Sequence, residues 1–319
     1  MDGHAVPVSR YRADLALLAV AVVWGSSYLA IKESAVPDGV FGFLAVRFTL
    51  AAMVLAALLG RRLSRVTRAE LCSGVLFGSI LAAICVCETY GVTKTSASNA
   101  GLIMALTVVI TPLLGRGGVA PLFYLPAAVV TLGCALLSQS GGFAAPGVGD
   151  ALVALAAVLR AVHITVMSRR SGAMDPAAVT LVQLCTVAVS TAAPAAALGQ
   201  ADLVLQMSAR QWMLTGYLAV ACTVFAFGVQ MWAVRRSTPA RVALMLGTEP
   251  LWALLIGIGL AGESPGTAGM LGAAMILAGV NWGRAVAARP PGHAKSPHHA
   301  GAGPCTSSVS KGGRWRSCR

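Results

Sequence analysis

The chain has 319 residues, 57% of them hydrophobic and only 11% charged, and carries a formal net charge of +13. This balance excludes an ordinary soluble domain, whose helices would each show a polar stripe. The basic residues are spread between apolar stretches rather than gathered in a patch, which excludes a nucleic-acid partner as the reason for the charge.

Windows of about twenty residues resolve ten apolar stretches, near 14–32, 40–60, 70–91, 97–114, 119–138, 149–169, 176–198, 209–234, 240–261 and 266–287. At about 1.5 Å per residue each can cross a hydrocarbon core about 30 Å thick, the fourth being short for the task. The expected fold class is therefore an all-α membrane protein with ten transmembrane helices. Residues 1–13 form a cytoplasmic N-terminal segment, 139–148 a linker, and 288–319 a disordered basic cytoplasmic tail rich in Pro, Gly, Ser and His. With the N-terminus inside, Arg61, Arg62, Arg65, Arg68, Arg169, Arg170, Arg235, Arg236 and the tail cations face the cytoplasm, whereas Lys32, Lys94 and Arg210 face outward. The positive-inside rule thus places both termini in the cytoplasm of a cell whose inner membrane holds the chain.

In chain order, the first stretch is followed by Lys32-Glu33 rather than a small-residue cleavage site, so it is retained as a span. Trp24 sits mid-span, away from the headgroup level, with Tyr28 one turn on; both could line a cavity and stack on substrate, or simply pack. Gly25-Ser26-Ser27 beside them permits close helix approach. Arg47 lies about 10 Å inside the second span, where it could attract anionic groups. Glu88 in the third span lies at a similar level and could neutralise it, and snorkelling explains both residues without function. Cys85-x-Cys87 lacks the spacing of a metal pair, and the cysteines in the spans read as small hydrophobes, so no metal and no cofactor is expected.

The sixth and ninth spans carry the charges of greatest interest, because a charge in hydrocarbon costs about 2.5–3.5 kcal/mol even on lenient scales. Arg160 and Glu249 both fall near the midplane and are expected to pair. Such a pair forms a zwitterion site, a proton-linked gate or a structural salt bridge. His163, three residues after Arg160, is a proton shuttle or a packed histidine. Pro250 after Glu249 predicts a kink or opening in the ninth helix, while Thr238-Pro239 reads as its N-cap and first helical residue. Glu263 and Asp14 read as boundary markers. The tail histidines His293, His298 and His299 read as solvated.

The halves 14–138 and 149–287 align in order. Asp14 faces Asp150, Trp24 faces Arg160 and Arg47 faces Gln183 at one offset; Glu88 faces Gln230, and Thr95-Ser96-Ala97 faces Ser237-Thr238-Pro239, after a small gap. Five spans per half is an odd number, so the second half enters the membrane inverted, and an inverted repeat places substrate where the halves meet. Trp24-Gly25-Ser26-Ser27-Tyr28 with Ile31-Lys32, Arg47-Phe48, the run Thr95 to Leu102, Glu249-Pro250 and Gly262-Glu263 together resemble the EamA repeats of the drug/metabolite transporter superfamily. The resemblance implies a ten-helix inner-membrane carrier for small metabolites, often an exporter. Two departures stand out: Val108 replaces the Pro expected after Thr107, and Arg116-Gly117 stands where the second half has Gly262-Glu263. They predict a truncated or distorted fourth helix, broken at Thr111-Pro112.

No phosphate-binding loop and no hydrolase motif is present, so transport is expected to be secondary, coupled to a proton, ion or substrate gradient. The partners expected are a small-molecule substrate and the lipid bilayer. Arg160 with Glu249 favours amino acids or similar metabolites; a multidrug efflux carrier, a channel and an intramembrane enzyme are the alternatives.

Overall fold

A computed structural model describes residues 8–60, 66–114, 122, 124–137, 147–170, 174–229 and 246–287. Arg61, Arg62, Arg65, Arg116-Gly117, most of the expected linker, Thr238-Pro239 and the basic tail with its histidines lie outside them. The elements are α1 (Val8–Ser34), a short 3₁₀ turn (Pro37–Gly39), α2 (Val40–Leu59), α3 (Arg68–Lys94), α4 (Ala97–Met104), α5 (Leu106–Leu113), α6 (Tyr124–Leu137), α7 (Val148–Arg170), α8 (Pro176–Ala197), α9 (Ala201–Leu205), α10 (Ala209–Ala219), a π segment (Val220–Phe225), α11 (Glu249–Ala261) and α12 (Gly266–Ala287).

Among the described residues six helical stretches are long and apolar enough to cross a membrane: Leu15–Ser34, Pro37–Leu59, Arg68–Lys94, Val148–Met167, Pro176–Ala197 and Ala209–Val229. The apolar helices Ala97–Thr111, Tyr124–Gly133 and Glu249–Ala261 are shorter. Apolar side chains such as Leu58 (72% exposed) and Leu260 (77% exposed) point away from the bundle, a surface suited to lipid rather than water. Among the described residues no strand is present.

Local sequence sets the helix ends. Thr67 and Glu70 form a capping box at the start of α3, and Ser208 and Gln211 form another at the start of α10. Asp175 caps α8 with Pro176 at the first helical position. Gly262 stops α11 in a left-handed conformation at φ 65°, its N–H returning to the Gly257 carbonyl.

Helices then pair across the sequence halves. α2 and α3 pack on α8, α3 on α7, α1 on α10 and α11, α4 on α7 and α11, and α6 on α12. Small residues allow the closest approaches: a Cβ on Gly78 would lie 2.5 Å from Thr186 Cβ, and one on Gly25 would lie 2.6 Å from Trp252 Cβ.

Two breaks differ from expectation. The fourth stretch is interrupted at Ala105, whose N–H bonds the Leu102 carbonyl at 3.1 Å while its own carbonyl accepts from Val108 at 3.0 Å. These tight i to i+3 bonds divide α4 from α5, and Pro112 falls in the last turn of α5 instead of making the break. In the ninth stretch a turn at Gly247-Thr248 precedes α11. Pro250 therefore occupies the first turn of a new helix, where its missing N–H costs nothing, instead of kinking a continuous one.

Candidate functional site

α1 presents Trp24 and Tyr28 one turn apart, and both are engaged by the second half. Trp24 Nε1 donates to the Cys222 carbonyl at 2.9 Å. That carbonyl belongs to the π segment, whose altered ladder also leaves Thr223 Oγ1 bonded to the Leu218 carbonyl five residues back. Tyr28 is 1% exposed, and its hydroxyl donates to Glu249 Oε1 at 2.7 Å. Ser26 Oγ lies 2.6 Å from the Tyr217 hydroxyl on α10. The aromatic pair expected to form cavity walls thus joins the first helix to the π segment and to the first residue of α11.

Arg160 sits midway along α7 among the fully buried Ala156, Ala157 and Ala161. Its guanidinium forms an ion pair with Glu88 on α3 at 3.3 Å. Both predicted pairings are therefore redrawn: the close partner of Arg160 is Glu88, not Glu249, and Glu88 neutralises Arg160 instead of Arg47. The reason lies in packing, since α7 lies along α3 whereas Glu249 on α11 faces α1. Arg160 stays within electrostatic reach of Glu249 and Tyr28. Its side chain is 30% exposed while that of Glu88 is 9% exposed. Its neighbours Tyr28, Glu88 and Glu249 lie on α1, α3 and α11, helices of both halves.

Arg47 on α2 lies over the Phe48 ring, 5.3 Å from its centroid, and its Nε is buried without a hydrogen-bond partner. Cys222 is within electrostatic reach of both Arg47 and Glu249, and Cys85 of Glu88, Arg47 and Arg160. Hydrogen bonds and the ion pair thus draw α1, α3, α7, the π segment and α11 into a polar centre, with Arg47 on α2 in its electrostatic surroundings. His163 lies within electrostatic reach of Arg160, with its Nε2 buried and without a hydrogen-bond partner. The ring is buried edge-on to Phe77 with centroids 6.2 Å apart, an arrangement that favours the packed reading over the shuttle.

Glu263, read from sequence as a boundary marker, does more. Its carboxylate accepts the Ala97 N–H at 2.7 Å and the Ser98 N–H at 2.9 Å, at the N-terminus of α4, with Lys32 Nζ 3.7 Å away. Burial works to raise this carboxyl, but the Ser98 side chain, these amides and Lys32 outweigh it and hold it below the usual carboxylate range. A cavity of about 310 Å³ lined by Ser96, Ser98, Asn99, Glu263, Ser264 and Pro265 opens beside it. Neither Arg160 nor Glu249 lines that cavity, and the polar centre is assigned on its charges and hydrogen bonds. Glu88 was legible as an intramembrane carboxylate; its partner was not, because depth alone does not say which helix faces which. Nothing in the sequence marked the π segment.

The chain is similar to known proteins in sequence and fold. An uncharacterised transporter of Archaeoglobus fulgidus is 25% identical over 284 residues, covering 88% of each chain. A solved crystal structure shares the fold with a TM-score of 0.59 at 19% identity, over 87% of this chain and 98% of that one. The family model described as EamA-like transporter matches residues 11–138 and 147–282. With apolar helices long enough to cross a bilayer and family matches over most of its length, this multi-pass membrane protein belongs to the EamA-like transporter family.

Proposed function

We propose that the chain is a secondary transporter that exports small polar or amphipathic metabolites, such as amino acids, across the cytoplasmic membrane by alternating access. The observation that carries this reading is the polar centre itself. Two arginines and two glutamates, contributed by helices of both sequence halves, are retained inside an apolar bundle where each costs free energy. Charges of both signs suit a substrate bearing both. They argue against a multidrug carrier, which calls for a mostly apolar cavity with one acidic residue, and Arg160 and Glu249 remain the centre of the site.

The reading includes ten spans in two inverted five-helix repeats, 14–138 and 149–287, with both termini cytoplasmic. The pairing of helices supports it. If α1, α2 and α3 correspond to α7, α8 and α10, then α3 on α7 mirrors α10 on α1, and α3 on α8 mirrors α10 on α2, while α2 on α8 and α6 on α12 map onto themselves. The family match divides the chain at the same place. The breaks at Ala105 and Gly247 occupy equivalent positions when Thr95-Ser96-Ala97 is laid on Ser237-Thr238-Pro239. Paired discontinuous helices of this kind point to a midplane site.

A thermal-shift screen of the purified protein against amino acids, organic acids, nucleosides and cationic drugs tests the reading. Stabilisation by one class is expected, since ligand at a hundred times its dissociation constant adds about 2.7 kcal/mol. It should be lost in Glu249→Gln; stabilisation by cationic drugs alone would support the multidrug alternative instead.

A further inference from the structure

α4 is a separate element, Ala97–Met104, and every one of its residues is buried. The tight bonds about Ala105 set it off from α5, so it can swing at that point without bending α5. Its N-terminus is held from the other half of the chain. Ser96 Oγ accepts the Asn99 N–H at 3.0 Å, and the Glu263 carboxylate, from the loop after α11, accepts the Ala97 and Ser98 N–H groups. Lys32, near the end of α1, ties both sides together: its Nζ is 3.7 Å from Glu263 Oε1 and donates to the Thr95 carbonyl at 2.7 Å. Thr95 Oγ1 in turn donates to Asp150 Oδ1, at the start of α7, at 2.6 Å. Lys32 is exposed, so water reaches this cluster and can take over the amides when they are released.

Beneath the cluster, α4 and α11 close on one another turn by turn. At the first level Gly257 faces Ser98 and Glu263, and an added Cβ would lie 2.6 Å from Glu263 Oε2. One turn further in, Gly101 faces Ala253 and the Tyr28 ring, which lies 3.2 Å from where its Cβ would stand. One turn beyond Ala253, Glu249 receives the Tyr28 hydroxyl. The seam thus runs from the cavity of about 310 Å³ beside Glu263 to a carboxylate of the polar centre. α11 carries both carboxylates, beginning at Glu249 and ending at Ala261 just before Glu263, so a shift at one end of this helix is passed to the other.

We propose that α4 and α11 are the two leaves of a gate at the end of the bundle where α1 finishes, latched by Glu263 across the α4 N-terminus, and that release of the latch lets α4 pivot at Ala105 and uncover Tyr28 and Glu249. This rests on the transporter reading and deepens it by naming the part that moves. The structure is the latched state. Occupancy of the polar centre acts on the latch through α11, and the latch decides when Glu249 is reached from that end.

The test is made on the full chain in lipid nanodiscs with Ser98→Cys as reporter. Ser98 is buried at the latch, so a dye-bearing maleimide bulkier than the cavity reacts there only when α4 parts from α11. Mass spectrometry reads modification at residue 98 apart from the native cysteines. Adding Glu263→Gln should speed modification roughly tenfold, the population shift expected when charge-assisted hydrogen bonds are lost. Glu263→Asp, which keeps the charge, should speed it less, and Lys32→Gln should speed it as well. Glu249→Gln, about four turns away along α11, should also change the rate, an effect that local fraying of α4 would not produce. Where Glu263→Gln fails to fold, Lys32→Gln decides in its place. Equal rates in the reporter and in each folded latch variant overturn the latch, and a rate unmoved by Glu249→Gln overturns its link to the centre. Labelling needs no substrate, so a latch that opens while the thermal-shift screen finds no ligand counts against the transporter reading and not against the gate.

Discussion

Glu88 and Arg160 show at the residue scale how a membrane bundle tolerates charge. Each alone would be a buried ion in an apolar surround; together at 3.3 Å they form a pair whose removal as a unit costs far less than removal of one member. Glu88→Gln is therefore expected to destabilise by about 3 kcal/mol, and the double change Glu88→Gln with Arg160→Gln by clearly less. Thermal unfolding of the purified variants checks this, and additive losses in the double variant would mean that the two residues do not act as a pair. Sequence alone identified all of the charges in the centre, because Arg and Glu stand out inside apolar stretches. It mispaired them, because pairing depends on the rotation of each helix about its axis. The one-residue offsets that decide such rotation are carried by packing contacts such as Gly91 on α3 against Val153 on α7.

At the scale of elements, the ends of helices join the halves. Glu70, in the capping box of α3, also accepts the Asp175 N–H at 2.8 Å just before α8. Gln211, in the corresponding box of α10, reaches the Ser34 carbonyl at the end of α1 at 3.3 Å. Glu263 closes the N-terminus of α4 from the loop between α11 and α12. The capping boxes were present in the sequence as Thr67-Arg68-Ala69-Glu70 and Ser208-Ala209-Arg210-Gln211, but the reach of Glu70 and Gln211 to another element was not, since that requires the tertiary arrangement. The break at Ala105 was harder to read than that at Gly247-Thr248, because Pro250 stands in the first turn after the latter and marks it, whereas no proline stands at the former and Pro112 lies seven residues beyond. Glu263 has a carboxyl held low when folded, so its contribution to stability is present above the usual carboxylate pKa and disappears as pH falls through the lowered value. Acidification through and below about pH 4 is expected to lower the melting temperature of the wild type more than that of Glu263→Gln. Equal acid sensitivity of the two proteins would show that the carboxylate does not hold α4.

Over the whole molecule, the helical membrane class was legible from length and hydropathy, because a chain with 57% hydrophobic residues and unbroken apolar stretches has few other ways to satisfy its backbone. The count of spans was less so: six helices reach crossing length in the described residues, and the discontinuous fourth and ninth stretches blur a window average. The proposed mechanism belongs to this scale, since alternating access requires the halves to move about a centre that both supply. The measurement that addresses it most directly is uptake of a labelled substrate into sealed, ATP-free proteoliposomes containing the purified protein, with and without unlabelled substrate trapped inside. A carrier that exposes one site to each side in turn predicts faster labelled uptake when the inside is loaded, with the acceleration lost in Glu249→Gln. Flux indifferent to the trapped substrate, or unchanged in Glu249→Gln, would contradict a carrier built around this centre.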